Sequence, residues 1–286
     1  MRIPTLAIVG VGLIGGSIAL AARRCGLAGR IVGADRRPET LERALGDGLL
    51  DAGHADLPDT VADADLVVFC TPVDCIADQI VAAAAHCRPG TLLTDVGSTK
   101  EAILRDVRGR LPAGIEFVGS HPLAGSEKNG PAHASARLLE GRLVIVTPAA
   151  DTTDNALSRL RDFWTALGAR VRLMNAEEHD RALALTSHLP HLLASALAGV
   201  LPSEWHELTA TGFRDTTRLA AGQPALWSAI FHANAAHVRA ALDRLEAQLH
   251  HFRAALLQGD RQALEALLQQ GKKVRDDLAS PGERGA

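Results

Sequence analysis

The fold of this chain is decided near its start, by the stretch Leu6-Ala-Ile-Val-Gly-Val-Gly-Leu-Ile-Gly15. The apolar run Leu6 to Val9 has the length of a short buried strand, and the glycines after it follow the pattern G-x-G-x-x-G. Glycines in this pattern let the backbone turn tightly, approach a pyrophosphate and aim the free amides of the next helix at it. The stretch therefore predicts a strand, a phosphate-binding turn and a helix.

An acidic residue follows this turn at the distance typical of a dinucleotide site. Asp35 lies twenty residues after Gly15, just beyond the second apolar run, Ile31 to Val32, where its carboxylate can accept hydrogen bonds from ribose hydroxyls. A 2′-phosphate would be repelled there, so NAD is favoured over NADP, although the Arg36 guanidinium could pair with that phosphate. The predicted cofactor-binding residues are Gly10, Gly12, Leu13, Ile14, Gly15, Asp35, Arg36 and Thr71.

The same alternation of apolar runs and helical patterns continues through roughly the first 170 residues. The later runs are Leu66 to Phe69, Leu92 to Val96, Phe117 to Val118 and Leu143 to Val146. This alternation predicts a parallel, doubly wound sheet. From Ala176 onward, alanine and leucine recur at helical spacing. We therefore predict an α/β fold, with a Rossmann-type NAD(P)-binding domain over residues 1–174 and an all-helical substrate and dimerisation domain over residues 175–286.

Composition narrows the class of protein. The chain has 286 residues, 47% of them hydrophobic, and a formal charge of -3, with its basic residues scattered. This balance argues against nucleic acid as a partner. The four cysteines follow no metal-ligand spacing, which favours a reduced, cytoplasmic setting. Thr5 to Ala22 carries no charge, but its turn-forming glycines and the basic residues that follow argue against a signal or membrane segment.

Two polar residues follow later runs of the predicted sheet. His121 comes just beyond Phe117-Val118, so we expect it in a loop at the edge of the sheet where reactants bind. An imidazole there could take the hydroxyl proton as hydride leaves an alcohol; the alternative is a structural histidine. Ser98 follows the run Leu92 to Val96, where it could reach the cleft and also form a helix-capping box with Glu101.

The helical half contains candidates for anion binding. Arg214 and Arg218 lie four residues apart, and a guanidinium can bind a carboxylate through two parallel hydrogen bonds. The structural alternative is a salt bridge from either arginine to Asp215 or a neighbour. The segment Ser187-His-Leu-Pro-His191 supplies two histidines without a third ligand at sensible spacing, so no metal is predicted.

A heptad-like seam marks the C-terminal part of the chain. Its residues are Val238, Leu242, Leu245, Leu249, Phe252 and Leu256. Such a seam packs along another helix, either within one chain or across a subunit contact. We favour a homodimer through the helical domain.

Five segments taken together resemble the prephenate and arogenate dehydrogenase family of tyrosine biosynthesis. They are GVGLIGGS from Gly10, DVGSTK from Asp95, HPLAGSEKNG from His121, SHLPH from Ser187 and GFRDTTRLA from Gly212. The resemblance implies NAD(P)-dependent oxidation of the ring hydroxyl of a cyclohexadienyl acid, with loss of the ring carboxylate as carbon dioxide. The products would be 4-hydroxyphenylpyruvate or tyrosine.

The resemblance also implies roles for individual residues. His121 matches the catalytic histidine, Ser98 the serine that hydrogen-bonds the same centre, and Arg218 the arginine that binds the ring carboxylate. The matching substrate-pocket positions are His191, Ser187, Ser126, Glu127 and Trp227. Gln223 stands where relatives often carry an acid, which bears on the choice between prephenate and arogenate.

Two other functions fit the same domain plan. One is a dehydrogenase of the β-hydroxyacid or ketopantoate type, but such enzymes generally rely on a helix-borne lysine and this chain has no lysine between Lys128 and Lys272. The other is a binding protein that senses NAD and has lost the chemistry; the presence of Ser98, His121 and Arg218 speaks against it.

Overall fold

A computed structural model describes residues 2–124 and 130–278. The chain forms two compact units, of which the first ends at Ala235 and the second begins at Ala236. The predicted domain boundary after residue 174 falls inside the first unit and stays a prediction. Within the described ranges, no helix is both long and apolar enough to cross a membrane.

The first unit is built on a six-stranded parallel sheet with the order β3-β2-β1-β4-β5-β6. Its strands are β1 (Ile3–Val9), β2 (Ala28–Ala34), β3 (Ala52–His54), β4 (Leu66–Phe69), β5 (Leu92–Asp95) and β6 (Glu116–Phe117). The connecting helices are α1 (Leu13–Arg24), α2 (Pro38–Gly46), α3 (Leu57–Val61), α4 (Val73–Ala84) and α5 (Glu101–Val107). This is the strand order of a dinucleotide-binding sheet, and it confirms the predicted fold class.

Both faces of this sheet are buried, because successive side chains of a strand point to opposite sides. In β1, Leu6 and Ile8 belong to one hydrophobic cluster, while Ala7 and Val9 belong to the other. The uninterrupted apolar run that predicted β1 therefore reflects packing on both faces.

A second, three-stranded sheet corrects the prediction for the later runs. It consists of β7 (Gly119–Pro122), β8 (Leu143–Thr147) and β9 (Arg170–Leu173), with α6 (Asp154–Ala166) between the last two strands. The chain leaves the first sheet at Val118, whose N–H donates to Leu93 O at 3.0 Å. β7 then runs antiparallel to β8. His121 is therefore in a strand of the second sheet, and the run Leu143 to Val146 does not extend the first sheet as predicted.

The rest of the first unit is helical, as predicted. Its elements are α7 (Ala176–Leu183), a π-helical turn (Ala184–His188), α8 (Leu189–Gly199), α9 (Thr211–Thr217), α10 (Pro224–Ala233) and short 3₁₀ helices at Pro131–His133, Ser203–Leu208 and Arg218–Ala221. Ile230 of α10 is buried in the cluster that also contains Ile76 of α4. This packing brings the start of α10 to the carboxyl edge of the parallel sheet.

Two helices, α11 (Ala235–Gln258) and α12 (Arg261–Leu278), are described for the second unit up to residue 278. The predicted seam lies on α11 and divides by exposure: Val238 is buried, whereas Leu249 and Leu256 are 54% and 66% exposed. On α12, Leu268 and Val274 are also exposed. These two helices therefore present large apolar side chains to their surroundings.

Candidate active site

The glycine-rich turn is built for a close ligand. Gly10 has φ +92°, a conformation that favours glycine, and its N–H donates to Ala34 O at 2.7 Å. A Cβ at Gly15 would lie 2.2 Å from Gly10 O, so only glycine allows α1 to start this close to the turn. Gly12 precedes α1 without a side-chain cap, which leaves the first amides of the helix for a ligand.

The carboxylate of Asp35 is held in place beside this turn. Val11 N–H donates to Asp35 Oδ2 at 3.1 Å, and Arg37 N–H donates to Oδ1 at 3.1 Å. The guanidinium that contacts this carboxylate is that of Arg37, with Nε 3.5 Å from Oδ1. Asp35 is thus anchored through both oxygens, by the turn on one side and by the chain after β2 on the other.

A cleft of about 680 Å³ opens at the carboxyl ends of β1, β4 and β5. Predicted residues that line it are Gly10, Gly12, Leu13, Ile14, Asp35, Arg36, Thr71, Ser98 and His121. The start of α10 adds Gln223, Leu226 and Ile230. The cleft thus joins the predicted phosphate turn, the predicted ribose acid and both predicted catalytic residues. Its volume and the uncapped start of α1 fit a dinucleotide.

The turn that carries Ser98 is organised differently from the prediction. Helix α5 begins at Glu101 with Lys100 as its N-cap residue and no side-chain cap of its own, so Ser98 and Glu101 do not form a capping box. The carboxylate of Asp180, from α7, accepts Lys100 N–H at 2.8 Å and Glu101 N–H at 2.9 Å. A distant acid thus replaces the local cap, and half-buried Ser98 is left facing the cleft.

A buried ion pair lies directly beneath this turn. The Lys100 ammonium pairs with Asp95 Oδ2, and both side chains are fully buried. Asp95 also accepts Gly97 N–H at 2.8 Å and Ser120 N–H at 3.1 Å. Burial lowers the pKa of Lys100 below its ordinary value, and the attraction of Asp95 opposes that shift. The pair therefore ties the Ser98 turn to strand β7, next to His121.

His121 lies in β7 and is 8% exposed. Its Nδ1 is 2.9 Å from His179 Nε2, and His179 Nδ1 is 2.7 Å from Asp180 Oδ1. Burial lowers the pKa of His121 well below 6.5, and His179, Lys100 and His188 lower it further. At neutral pH the imidazole is accordingly uncharged and able to accept a proton.

Two of the four predicted substrate residues of the helical part, His191 and Trp227, are in contact. His191 stacks on Trp227 with ring centroids 3.6 Å apart, and Gly222 allows this contact, since a Cβ there would lie 2.6 Å from Trp227 Nε1. Half-buried Ser187 lies in the π-helical turn, and Arg218 is exposed at the start of a short 3₁₀ helix. None of these four side chains lines the cleft.

Two further predictions in this region have different outcomes. Neither Arg214 nor Arg218 forms an ion pair with any residue that the structure describes. The alternative prediction, a salt bridge from either arginine to Asp215 or a described neighbour, is therefore wrong. Ser126 and Glu127 lie outside the described residues.

Sequence reasoning missed four residues of the site: Asp95, Lys100, His179 and Asp180. The segment Glu177-Glu178-His179-Asp180 looks like the acidic first turn of an exposed helix, yet His179 and Asp180 are buried. The one local signal was Asp95 itself, an acid at the end of a buried strand. Most contacts among the missed residues join positions that are distant in sequence, and no local pattern could reveal them.

A parallel sheet of this order, a glycine-rich turn, an anchored acid after β2 and an imidazole in the adjoining cleft together define a dinucleotide-dependent oxidoreductase. Models of the prephenate dehydrogenase nucleotide-binding domain and dimerization domain match residues 18–173 and 175–270. On these matches, which cover most of its length, the chain belongs to the prephenate dehydrogenase family.

Individual relatives support the same family assignment. Cyclohexadienyl dehydrogenase from Zymomonas mobilis is 36% identical over 281 residues, covering 94% of each chain. Prephenate dehydrogenase from Bacillus subtilis is 33% identical, covering 96% of this chain and 76% of that protein. The structure of prephenate dehydrogenase from Aquifex aeolicus in complex with hydroxyphenyl propionate and NAD+ superposes with a TM-score of 0.91 at 31% identity, over 98% of this chain and 99% of that chain. The predicted family, enzyme class and NAD cofactor are confirmed.

Proposed function

We propose that this enzyme oxidises the ring hydroxyl of prephenate, arogenate or both and releases the ring carboxylate as carbon dioxide, giving 4-hydroxyphenylpyruvate or tyrosine. The observation that carries the proposal is the shared cleft, in which Ser98 and His121 adjoin the phosphate turn and Asp35. NAD supplies the hydride acceptor when bound. The names of the relatives support the substrate class.

In this proposal His121 is the proton acceptor and Ser98 hydrogen-bonds the reacting hydroxyl. The imidazole is uncharged at neutral pH, so it can take the hydroxyl proton as hydride leaves the ring carbon. Loss of carbon dioxide then makes the ring aromatic, which drives the reaction, and the chain has only to position the reactants. No metal or covalent nucleophile is needed.

The assay that tests this proposal follows NADH formation when the purified protein is mixed with NAD and prephenate or arogenate. Turnover with either substrate supports the proposal, and the ratio of kcat/KM values identifies the preferred one. The absence of turnover with both substrates, under NAD and NADP alike, would overturn it and favour a binding protein or another dehydrogenase.

Arg218 is the proposed clamp for the ring carboxylate, with His191, Ser187, Ser126, Glu127 and Trp227 in the substrate pocket. Arg218 is exposed and forms no ion pair with the described part of the chain, which leaves its guanidinium available for a ligand. Gln223 lines the cleft and is a candidate for contacting the substrate side chain.

We expect Arg218→Ala to raise KM about tenfold or more, since a charge-assisted hydrogen bond contributes about 1.5–3 kcal/mol. kcat should change less, because a clamp that binds ground state and transition state alike acts on KM. Steady-state kinetics measure both. Arg161→Ala, an exposed arginine of α6, is the matched control, and an unchanged KM in Arg218→Ala would remove this residue from the site.

NAD preference is attributed to Asp35. We expect Asp35→Ser to shift the ratio of kcat/KM values for NADP and NAD towards NADP by about ten- to a hundredfold, because the variant loses a charged acceptor and a source of repulsion. Kinetics with both cofactors measure the shift, and Asp47→Ser, an exposed acid after α2, serves as the control. If the ratio stays constant, another residue selects the cofactor.

The proposal includes a homodimer formed through the helical domain, residues 175–286, and a cytoplasmic location. The dimer is supported by the match to a dimerization domain and by the exposed leucines of α11 and α12. The location is supported by four free cysteines.

A further inference from the structure

A row of three buried side chains extends from the cleft into the interior of the first unit. His121 is 8% exposed, His179 is fully buried and Asp180 is 1% exposed. The two hydrogen bonds that join them are 2.9 and 2.7 Å long. Only His121 lines the cleft, so the other two act on a bound substrate only through it.

The direction of the hydrogen bonds in this row is set by Asp180, the residue farthest from the cleft. A carboxylate can only accept hydrogen bonds, so His179 Nδ1 carries a hydrogen that it donates to Asp180. When His179 is neutral its other nitrogen is an acceptor, and the 2.9 Å contact is then a bond that His121 Nδ1 donates to His179 Nε2. His121 Nε2 is left with its lone pair free.

We propose that His179 and Asp180 are positioning residues that hold the proton of His121 on Nδ1, and so make Nε2 the atom that accepts the substrate proton. The inference rests on the proposed function of His121. It assigns a role to two residues whose place in the sequence gave no sign of one.

The row also acts on the charged state of His121. When Nε2 takes the hydroxyl proton, the imidazolium keeps its Nδ1–H bond to His179, whose other nitrogen donates to the Asp180 carboxylate. A carboxylate behind an imidazole stabilises the imidazolium that forms, as in the Ser-His-Asp triad. Nε2 holds the proton that leaves the substrate until loss of carbon dioxide leaves a phenolate oxygen that takes it back, so no other group need change its protonation.

The other charged or titratable groups around His121 are already paired or uncharged. The Lys100 ammonium is paired with Asp95. Burial lowers the pKa of His188 to about 4, and its Nδ1 accepts from Asn234 Nδ2 at 3.1 Å, since the same amide group donates to Asp180 O at 2.8 Å. Among the described residues, Asp180 is therefore the anion joined to His121 by hydrogen bonds.

Asp180 also accepts hydrogen bonds from the start of helix α5, and so connects the row to the Ser98 turn. The oxygen that accepts from His179 also accepts Lys100 N–H, and the other oxygen accepts Glu101 N–H. One carboxylate thus fixes the orientation of His121 and the start of α5, just after the Ser98 turn. For this reason the variants that test the proposal are made at His179, where helix α5 keeps its cap.

The first test is the tautomer of His121 in the whole protein, measured by ¹⁵N NMR with labelled histidine. Its signals are assigned by their loss in His121→Asn. We expect a hydrogen on Nδ1 and a bare Nε2 in the wild type, and loss of this single tautomer in His179→Phe, which has no acceptor. His188→Gln, a change at a histidine that is equally buried, should leave the tautomer unchanged. A hydrogen on Nε2 in the wild type would overturn the proposal.

The second test is kinetic. We expect kcat to fall about 100-fold in His179→Phe with KM within about threefold, and less in His179→Gln, whose amide oxygen can still accept from Nδ1; this lies at the lower end of the range for general acid–base catalysis. A kcat within threefold of wild type in His179→Phe would refute the proposal.

The two tests separate failure of the inference from failure of the proposed function. The tautomer is measured without substrate or cofactor, so it decides the role of the row even if wild-type protein turns over neither prephenate nor arogenate. Conversely, an active enzyme that needs His121 but tolerates His179→Phe keeps the proposed function and loses the inference. If His179→Phe does not fold, the wild-type tautomer and His179→Gln decide.

Discussion

His121→Asn should lower kcat about a thousandfold while NAD still binds, since a positioned general base contributes about 10²–10⁴-fold. Asparagine keeps a polar side chain of similar reach but cannot take a proton at Nε2. The residue lies in β7 and reaches the cleft beyond the phosphate turn, so the turn itself should be unaffected. NADH formation under saturating substrate measures kcat, and quenching of intrinsic fluorescence on titration with NAD measures cofactor binding.

The control and the pH profile make this prediction specific. His86→Asn replaces an exposed histidine after α4 and should retain wild-type kcat. Because the pKa of His121 is well below 6.5, the base is unprotonated at neutral pH, and wild-type kcat/KM should fall only as pH drops through that lower value. If kcat in His121→Asn stays within tenfold of wild type, another group takes the proton.

The buried pair beneath the Ser98 turn should have the largest effect on stability. We expect Lys100→Met to lower the free energy of unfolding by about 3–5 kcal/mol, because it leaves the Asp95 carboxylate buried without its cation. The double variant Asp95→Asn, Lys100→Met should recover much of this loss, since no unpaired charge remains. Urea denaturation followed by circular dichroism measures all three proteins.

An exposed ion pair supplies the matched comparison. Lys272 pairs with Asp276 on α12, and both side chains are more than half exposed. Lys272→Met should therefore change the free energy of unfolding by less than about 1 kcal/mol. Equal losses in the two lysine variants, or a double variant as unstable as Lys100→Met, would show that burial of the Asp95 charge is not what makes Lys100 important.

The parts of the fold that sequence predicted are those set by neighbours along the chain. The run before Gly10, the glycine spacing and Asp35 all lie within one strand, turn, helix and strand, and the structure has them in that order. The second sheet was missed because nothing local marks Val118 as the point of departure from the first sheet. A short apolar run has the same composition in either sheet.

The parts of the site that sequence could not supply depend on partners distant in the chain. Ser98 and Glu101 fit a capping box locally, but the carboxylate of Asp180, eighty residues after Lys100, takes over the amides at the start of α5. A short-range rule fails there because a carboxylate with two oxygens competes better for two amides than one hydroxyl does. His179 was overlooked for the same reason, since only tertiary packing buries it.

The contacts of Asp180 bear on how far the nucleotide-binding part of this chain is a separable module. A fragment that ended at residue 174 would keep the glycine-rich turn, Asp35 and every strand, yet the amides of Lys100 and Glu101 and Nδ1 of His121 would all lose their acceptors. On the roles proposed for His121, His179 and Asp180, the glycine-rich turn and Asp35 are encoded before residue 174, whereas the residues that position the base are encoded after it. Joining this sheet to a foreign helical partner would then keep the predicted dinucleotide-binding turn but remove the proposed support of His121.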